Sequence, residues 1–343
     1  MIITILAAIF VFGILVLFHE FGHFITAKAV GMRVDEFAIG FGPKLISTKK
    51  GETVYSLRAI PLGGFNKIAG MDPDEEKDER AYSAKPIWAR MLVILAGSMM
   101  NFILPIILFF GIFVISGINT PSNEPILGEI ITTKAADRAG LLQGDRILKI
   151  DGKEIDSWKS VVTIVQDSGG KILKIDFERN GQMMAVNLIP EYDTNAKRAL
   201  IGVLSSVETY RPGVVESANL AVKNTFFIMY KMIEGLSQIV TGKNQAELAG
   251  PLGVAQMAGD VAQIGFVPLL QFAAALSINL GIINLLPIPA LDGGHFVTLA
   301  VEAVRGKPLN QKYMQYAQMM GFMLLMGLML FATMNDFSRL FTR

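Results

Sequence analysis

The chain contains no cysteine, which excludes both a disulfide framework and a thiolate-bound metal. Histidine is nearly as scarce, with only His19, His23 and His295 in 343 residues. A transition metal, if present, must therefore be held by those imidazoles and by carboxylates. Charge is sparse too: 18% of residues are charged against 52% hydrophobic, and the net charge is +1. A near-neutral chain without a strongly basic domain has no electrostatic footprint for nucleic acid. So apolar a composition at this length also excludes an ordinary soluble protein.

The apolar residues are gathered in blocks. Crossing the hydrocarbon core takes about 20 of them on one helix, and four blocks qualify: about Ile2 to Ala29, Met91 to Ile118, Val267 to Leu291 and Tyr316 to Met334. The first lacks both a basic residue ahead of the apolar run and a small-residue cleavage site behind it, so a retained span is expected rather than a signal peptide. A fifth stretch, Val214 to Val240, carries Lys223, Lys231 and Glu234, and suits an interfacial or extramembrane helix. Basic residues crowd the loop between the first two spans, among them Arg33, Lys44, Lys49, Lys50 and Arg58. Arg305, Lys307 and Lys312 fall between the last two. Both loops are then expected on the cytoplasmic side, with both termini and the 119–266 segment extracytoplasmic.

Residues 33–66 alternate like strands about a turn at Lys50-Gly51, which predicts a β-hairpin lying on or dipping into the membrane. Such a hairpin is tolerated at depth only where protein or water covers its edges. Residues 72–80 form a charge run, expected to be merely solvated. Residues 122–190 hold short β-type runs between Gly- and Asp-containing turns, with one helix near Ser157 to Gln166. This divides the chain into a membrane core at 1–118, a β-rich module at 119–195, an amphipathic linker region at 196–266 and a second membrane core at 267–343.

The chemistry begins in the first span. His19-Glu20-Phe21-Gly22-His23 has the form H-E-x-x-H. On a helix, positions i and i+4 share a face, so both imidazoles reach one ion and the glutamate stands beside it as a base. A carboxylate at mid-bilayer costs about 2.5–3.5 kcal/mol on insertion scales, which makes a fortuitous cluster there expensive. A catalytic zinc takes three protein ligands and leaves one position open. The third ligand is expected from the Asn284–Gly294 segment, where Pro287 and Pro289 interrupt the helix and free the chain to extend. Asp292 is the outstanding candidate, and His295 competes with it on chemistry alone.

HEFGH followed by NLLPIPALDGG resembles the site-2 protease family of intramembrane metalloproteases. The resemblance implies Zn2+ held by His19, His23 and Asp292, Glu20 as general base, and His295 outside the ligand set. Pro61-Leu62-Gly63-Gly64-Phe65 resembles the family's segment after its membrane β-ribbon. Gly97 to Asn101 resembles its G-x-x-x-N segment, with Ser98 in place of the usual proline. Gly250 to Ala255 matches a stretch that precedes the third span in this group. Within the 119–195 module, the run from Ala139 to Gly152 looks like the A-G-L-x-x-G-D-x-I segment of bacterial PDZ domains, with Gly140, Leu141, Gly144 and Asp145 as the loop expected to take part in peptide capture. A single such module resembles the one-PDZ branch of the regulator-of-sigma-E-protease type.

The resemblance thus implies a polytopic α-helical membrane protein of about four transmembrane helices, with a membrane-associated β-hairpin and an extracytoplasmic PDZ domain, in the bacterial cytoplasmic membrane. Its partners are the lipid bilayer, single-span membrane-protein substrates such as anti-sigma factors or remnant signal peptides, and peptide tails at the PDZ module. Asn101, Asn284 and Pro287 are the expected substrate-binding residues, contacting backbone that unwinds near the metal. An inactive adaptor would not need an intact ligand set, and an ion-coupled transporter would show an inverted repeat; neither pattern fits this sequence.

Overall fold

An apolar run free of proline satisfies its own backbone as one helix, and α1 spans Ile2–Ala29. The computed structural model describes residues 1–71, 78–193, 197–243 and 249–341. Two long strands follow, β1 (Val34–Lys50) and β2 (Thr53–Ile68), turning at Gly51 with φ +64°. They form more than a simple ribbon. The first half of β1 lies between two stretches of β2, so that Phe37 is partnered by both Tyr55 and Asn66, and Ala38 by both Ser56 and Phe65. The second half of β1 pairs from Lys44↔Arg58 to Lys50↔Thr53. The outer half exposes Phe41, Leu45 and Ile46. The next helix, α2 (Ile87–Ile115), accommodates Pro105 in its interior.

Residues 72–77 of the charge run lie outside the described residues. Its flank is more than a solvated face: Asp78 pairs with Arg33, and Arg80 reaches Glu52 at 2.7 Å. Both contacts tie the loop to the hairpin.

Residues 116–212 form a compact unit of their own. It runs through β3 (Ile118–Pro121), β4 (Leu127–Ile130), α3 (Ala135–Arg138), β5 (Arg146–Ile150), β6 (Lys153–Glu154), α4 (Trp158–Asp167), β7 (Leu173–Arg179), β8 (Gln182–Leu188), β9 (Glu191–Asp193), β10 (Arg198–Leu200), β11 (Val203–Ser205) and β12 (Val207–Tyr210). The main sheet is ordered β6-β5-β7-β8, while β4 pairs with β11 and β3 with β12. Ile147 and Ile150 enter its core with Leu127, Leu141, Val161, Ile175 and Phe177. Ser157 caps α4 by accepting the Ser160 N–H. The module therefore extends past the expected limit at 195, because β10 to β12 close onto its earlier strands and leave the linker region shorter.

The remaining helices are α5 (Val214–Val240), α6 (Pro251–Ile264), α7 (Phe266–Asn284), α8 (Asp292–Arg305) and α9 (Gln311–Phe341). With α1, the hairpin and α2 they make the second compact unit. One core gathers Val11 and Leu15 of α1, Leu104 of α2, Ala258 of α6 and Ala273 of α7. Buried Asp336 of α9 accepts the backbone N–H groups of Gly250 and Gly253 at 3.1 and 2.8 Å, capping α6.

Among the described residues, four helices are long and apolar enough to cross a membrane: α1, α2, α7 and residues Lys312–Ser338 of α9. The chain is a multi-pass membrane protein with a β-rich module. The third of these helices stops at Asn284 rather than Leu291, since the prolines at 287 and 289 cannot continue it. Asp292 then opens a separate helix, α8, which hydropathy does not announce.

Candidate active site

His19 and His23 face α2, and a stripe on α2 receives them. Val93, Gly97 and Asn101 recur every four residues and so lie on one face. A Cβ on Gly97 would lie 2.6 Å from Cε1 and 2.7 Å from Cδ2 of His23, and closer still to its Nε2. Only glycine leaves room for the ring.

The rings of His19 and His23 meet edge to face, with centroids 4.8 Å apart. Their Nε2 atoms are 3.3 Å apart. Asp292 Oδ2 lies 3.6 Å from each of them. Tetrahedral zinc, with bonds of about 2.0–2.2 Å, spaces its ligand atoms about 3.3–3.6 Å apart. The three groups thus already stand at the spacing of one zinc coordination shell. Among the described residues, this is the one grouping of metal-type ligands close enough to share an ion.

The outer contacts fix the protonation pattern that a metal needs. His23 Nδ1 is 2.8 Å from Val93 O. A carbonyl only accepts, so the proton sits on Nδ1 and leaves a bare lone pair on Nε2. His19 Nδ1 faces the Asn101 side-chain amide at 3.1 Å, and Asn101 Oδ1 is buried without a partner. The nearer amide atom is Nδ2; turned about χ2, the amide would instead present Oδ1 to accept the Nδ1–H of His19 and select the same tautomer. Ser98 Oγ donates to Asp292 Oδ2 at 2.9 Å. All three side chains are thus oriented from α2, as outer hydrogen-bond partners orient metal ligands.

Glu20 lies beside this cluster, and Asn66 of β2 donates to its Oε2 at 2.8 Å. Asn66 was not among the expected site residues, since a lone asparagine in a β-type run carries no motif. Of the expected substrate contacts, Asn101 is fully buried against His19. Asn284 ends α7, and Pro287 is exposed in the turn that leads to Asp292. His295 is one turn further along α8 and outside the ligand grouping.

In the module, Gly140 and Gly144 take φ of +76° and +93°. Leu141, however, points into the core, and Asp145 is 1% exposed. Asp145 accepts two bonds of 2.7 Å from Arg179 and one of 2.8 Å from the Leu142 N–H. These bonds tie the loop to β7.

Residues 7–328 match the model of Peptidase family M50. The chain belongs to peptidase family M50. This M50 peptidase is 35% identical to the regulator of sigma-W protease RasP of Bacillus subtilis, over 98% of this chain and 99% of that one. It is 34% identical to the zinc metalloprotease RasP of Geobacillus kaustophilus, over 98% of each. The chain is also similar to the PDZ domain of an SdrC-like protein from Listeria monocytogenes, at 17% identity and TM-score 0.22, over 25% of this chain and 90% of that one. The M50 peptidase is a zinc metalloprotease, and Zn2+ is its metal.

Proposed function

We propose that this M50 peptidase hydrolyses peptide bonds within the membrane-spanning segments of single-span proteins, with His19, His23 and Asp292 as zinc ligands and Glu20 as general base. The observation that carries the reading is the mutual spacing of the three ligand atoms, 3.3 and 3.6 Å, beside a carboxylate and against a helix able to cross a membrane. Zinc held there supplies Lewis acidity toward a peptide carbonyl and toward water.

The protein's own groups do the rest. Glu20 takes a proton from the attacking water at its carboxylate and returns it to the departing amine nitrogen, work worth about 10²–10⁴ in rate. Val93 O, Ser98 and Asn101 hold the ligands in their tautomers and directions. A helical substrate hides its peptide bonds within its own turns, so an extended stretch must form first. The hairpin is the surface for it, since an extended segment can pair with a sheet edge. Asn284 and Pro287, in the broken segment before Asp292, contact the unwound backbone, while Asn101 acts through His19.

The loops rich in Lys and Arg support a hairpin on the cytoplasmic face, with the termini and the β-rich module outside. We assign the host membrane as the bacterial cytoplasmic membrane and the module as a PDZ domain that screens substrates by their exposed tails. The substrates are single-span regulators such as anti-sigma factors, in keeping with the name of the Bacillus subtilis relative, or remnant signal peptides.

The test is cleavage of a model single-span protein by purified enzyme in detergent, with the cut site mapped by mass spectrometry. A cut inside the apolar segment, absent with Glu20→Gln, is expected. Cuts confined to the soluble flanks would overturn the intramembrane assignment.

A further inference from the structure

A glutamate side chain has several rotatable bonds, and a base must be held to act. What holds Glu20 comes from the hairpin. Asn66 Nδ2 lies 2.8 Å from Glu20 Oε2 and 2.8 Å from the main-chain oxygen of Glu20. Because one amide grips both ends of the same residue, it fixes the carboxylate relative to its own backbone.

The strand carrying Asn66 is itself pinned to α1. A Cβ on Gly64 would lie 2.9 Å from Glu20 Cγ and 3.0 Å from Val16 Cγ1, so β2 rests directly on the helix there. Asn66 is partnered in the sheet by Phe37. Phe37 and Tyr55 both stack edge to face on Phe24 of α1, with centroids 5.2 and 5.8 Å away. Asn66 Oδ1 is buried with no partner, an arrangement that packing alone does not favour. The grip of Nδ2 on Glu20 is the evident gain that offsets it.

We propose that Asn66 is a positioning residue for the catalytic base, so that the β-hairpin supplies part of the active-site geometry as well as a surface. This rests on the reading of Glu20 as the base. The side chain is hydrogen-bonded to the base itself and to none of the three ligands; it acts through Glu20, by holding its carboxylate where a water proton can be taken. Displacement of a catalytic group by about 1 Å can cost about 100-fold in rate.

The experiment uses the full chain in detergent with three variants. Asn66→Leu keeps the size without a donor, Asn66→Asp keeps the shape but places an oxygen against Glu20, and Asn66→Gln keeps an amide on a longer arm. Zinc content, KM and kcat on a single-span substrate are measured for each, with Glu20→Gln alongside. The expected result is wild-type zinc content and KM, kcat lowered about 10–100-fold by Asn66→Leu and further by Asn66→Asp, and partial recovery in Asn66→Gln. Wild-type kcat in Asn66→Leu and Asn66→Asp beside an inactive Glu20→Gln would overturn the proposal and leave the base assignment standing. A kcat loss matched by loss of zinc or of folded protein would overturn it as well. Cleavage retained by Glu20→Gln would remove the base assignment and this proposal together.

Discussion

Gly97→Ala isolates the metal site from the helix that supports it. In a helix interior alanine is favoured over glycine by about 1 kcal/mol, so α2 itself should gain. The site should lose. The added Cβ would lie 2.6 and 2.7 Å from carbons of the His23 ring, where carbon atoms pack best at about 3.5–4.0 Å. The ring must therefore move by about 1 Å. It cannot simply slide away, because Nδ1 is held by Val93 O at 2.8 Å on the same helix. Metal–ligand distances tolerate only about 0.2 Å, so His23 would cease to be a sound ligand. Losing a ligand should exceed the roughly 10–100-fold cost of losing a hydrogen-bond partner of a ligand, so zinc affinity is expected to fall at least about 100-fold, and cleavage with it. The assay is competition for zinc against a chelator of known affinity, run beside Gly111→Ala. That control is the same change in the same helix, with no atom within 4 Å of the new methyl, and should leave both properties intact. A Gly97→Ala protein with wild-type zinc affinity and activity would refute the packing of α2 on the site.

Further outcomes follow from the same contacts. Ser98→Ala removes the donor to Asp292 and Asn101→Ala the partner of His19; each should weaken zinc about 10–100-fold with the fold intact, read by the same competition. For Glu36, burial raises the carboxyl, but Ser56, Arg58 and Lys44 at 2.6, 2.8 and 3.1 Å outweigh it and hold the group at about 2, below its ordinary 4.5. A carboxyl lowered on folding contributes stability above its unfolded value and loses it as pH falls from about 4.5 toward 2. Glu36→Gln should therefore loosen the hairpin by about 1 kcal/mol at neutral pH, since solvent screens these pairs, and flatten that acid dependence, measured by hydrogen exchange across 34–68. Asp145→Ala should destabilise the β-rich module by about 2–3 kcal/mol, because it strands Arg179 and the Leu142 N–H; exchange confined to 116–212 of the full chain reads it.

What the sequence reveals here is what local pattern encodes. The spans stand out because a bilayer imposes length and apolarity, and the candidate ligands because histidine is so scarce and H-E-x-x-H sits where charge is costly. Pro287 and Pro289 mark the break that sets Asp292 free. Contacts between distant elements are less legible. Asn66 reaches Glu20 across 46 positions, and Asp336 caps α6 across more than 80. No period or spacing reports either. The hairpin turn at Gly51 is legible, yet the return of β2 along the other side of β1 depends on packing against α1. Strands β10 to β12 are only three or four residues long, too short for alternation to register, so the module ends later than its pattern suggests. The role of α2 is hidden in another way: Gly97, Ser98 and Asn101 can be matched to a motif, but only the packed helices set them against His23, Asp292 and His19.

The central claim is that His19, His23 and Asp292 hold the zinc and Glu20 works beside it. The most direct test is zinc stoichiometry measured together with cleavage for wild type, Glu20→Gln and Asp292→Ala. The account predicts one zinc per chain in wild type and in Glu20→Gln, weakened zinc in Asp292→Ala, and cleavage in wild type alone. Full zinc retention in Asp292→Ala, or cleavage by Glu20→Gln, would contradict it.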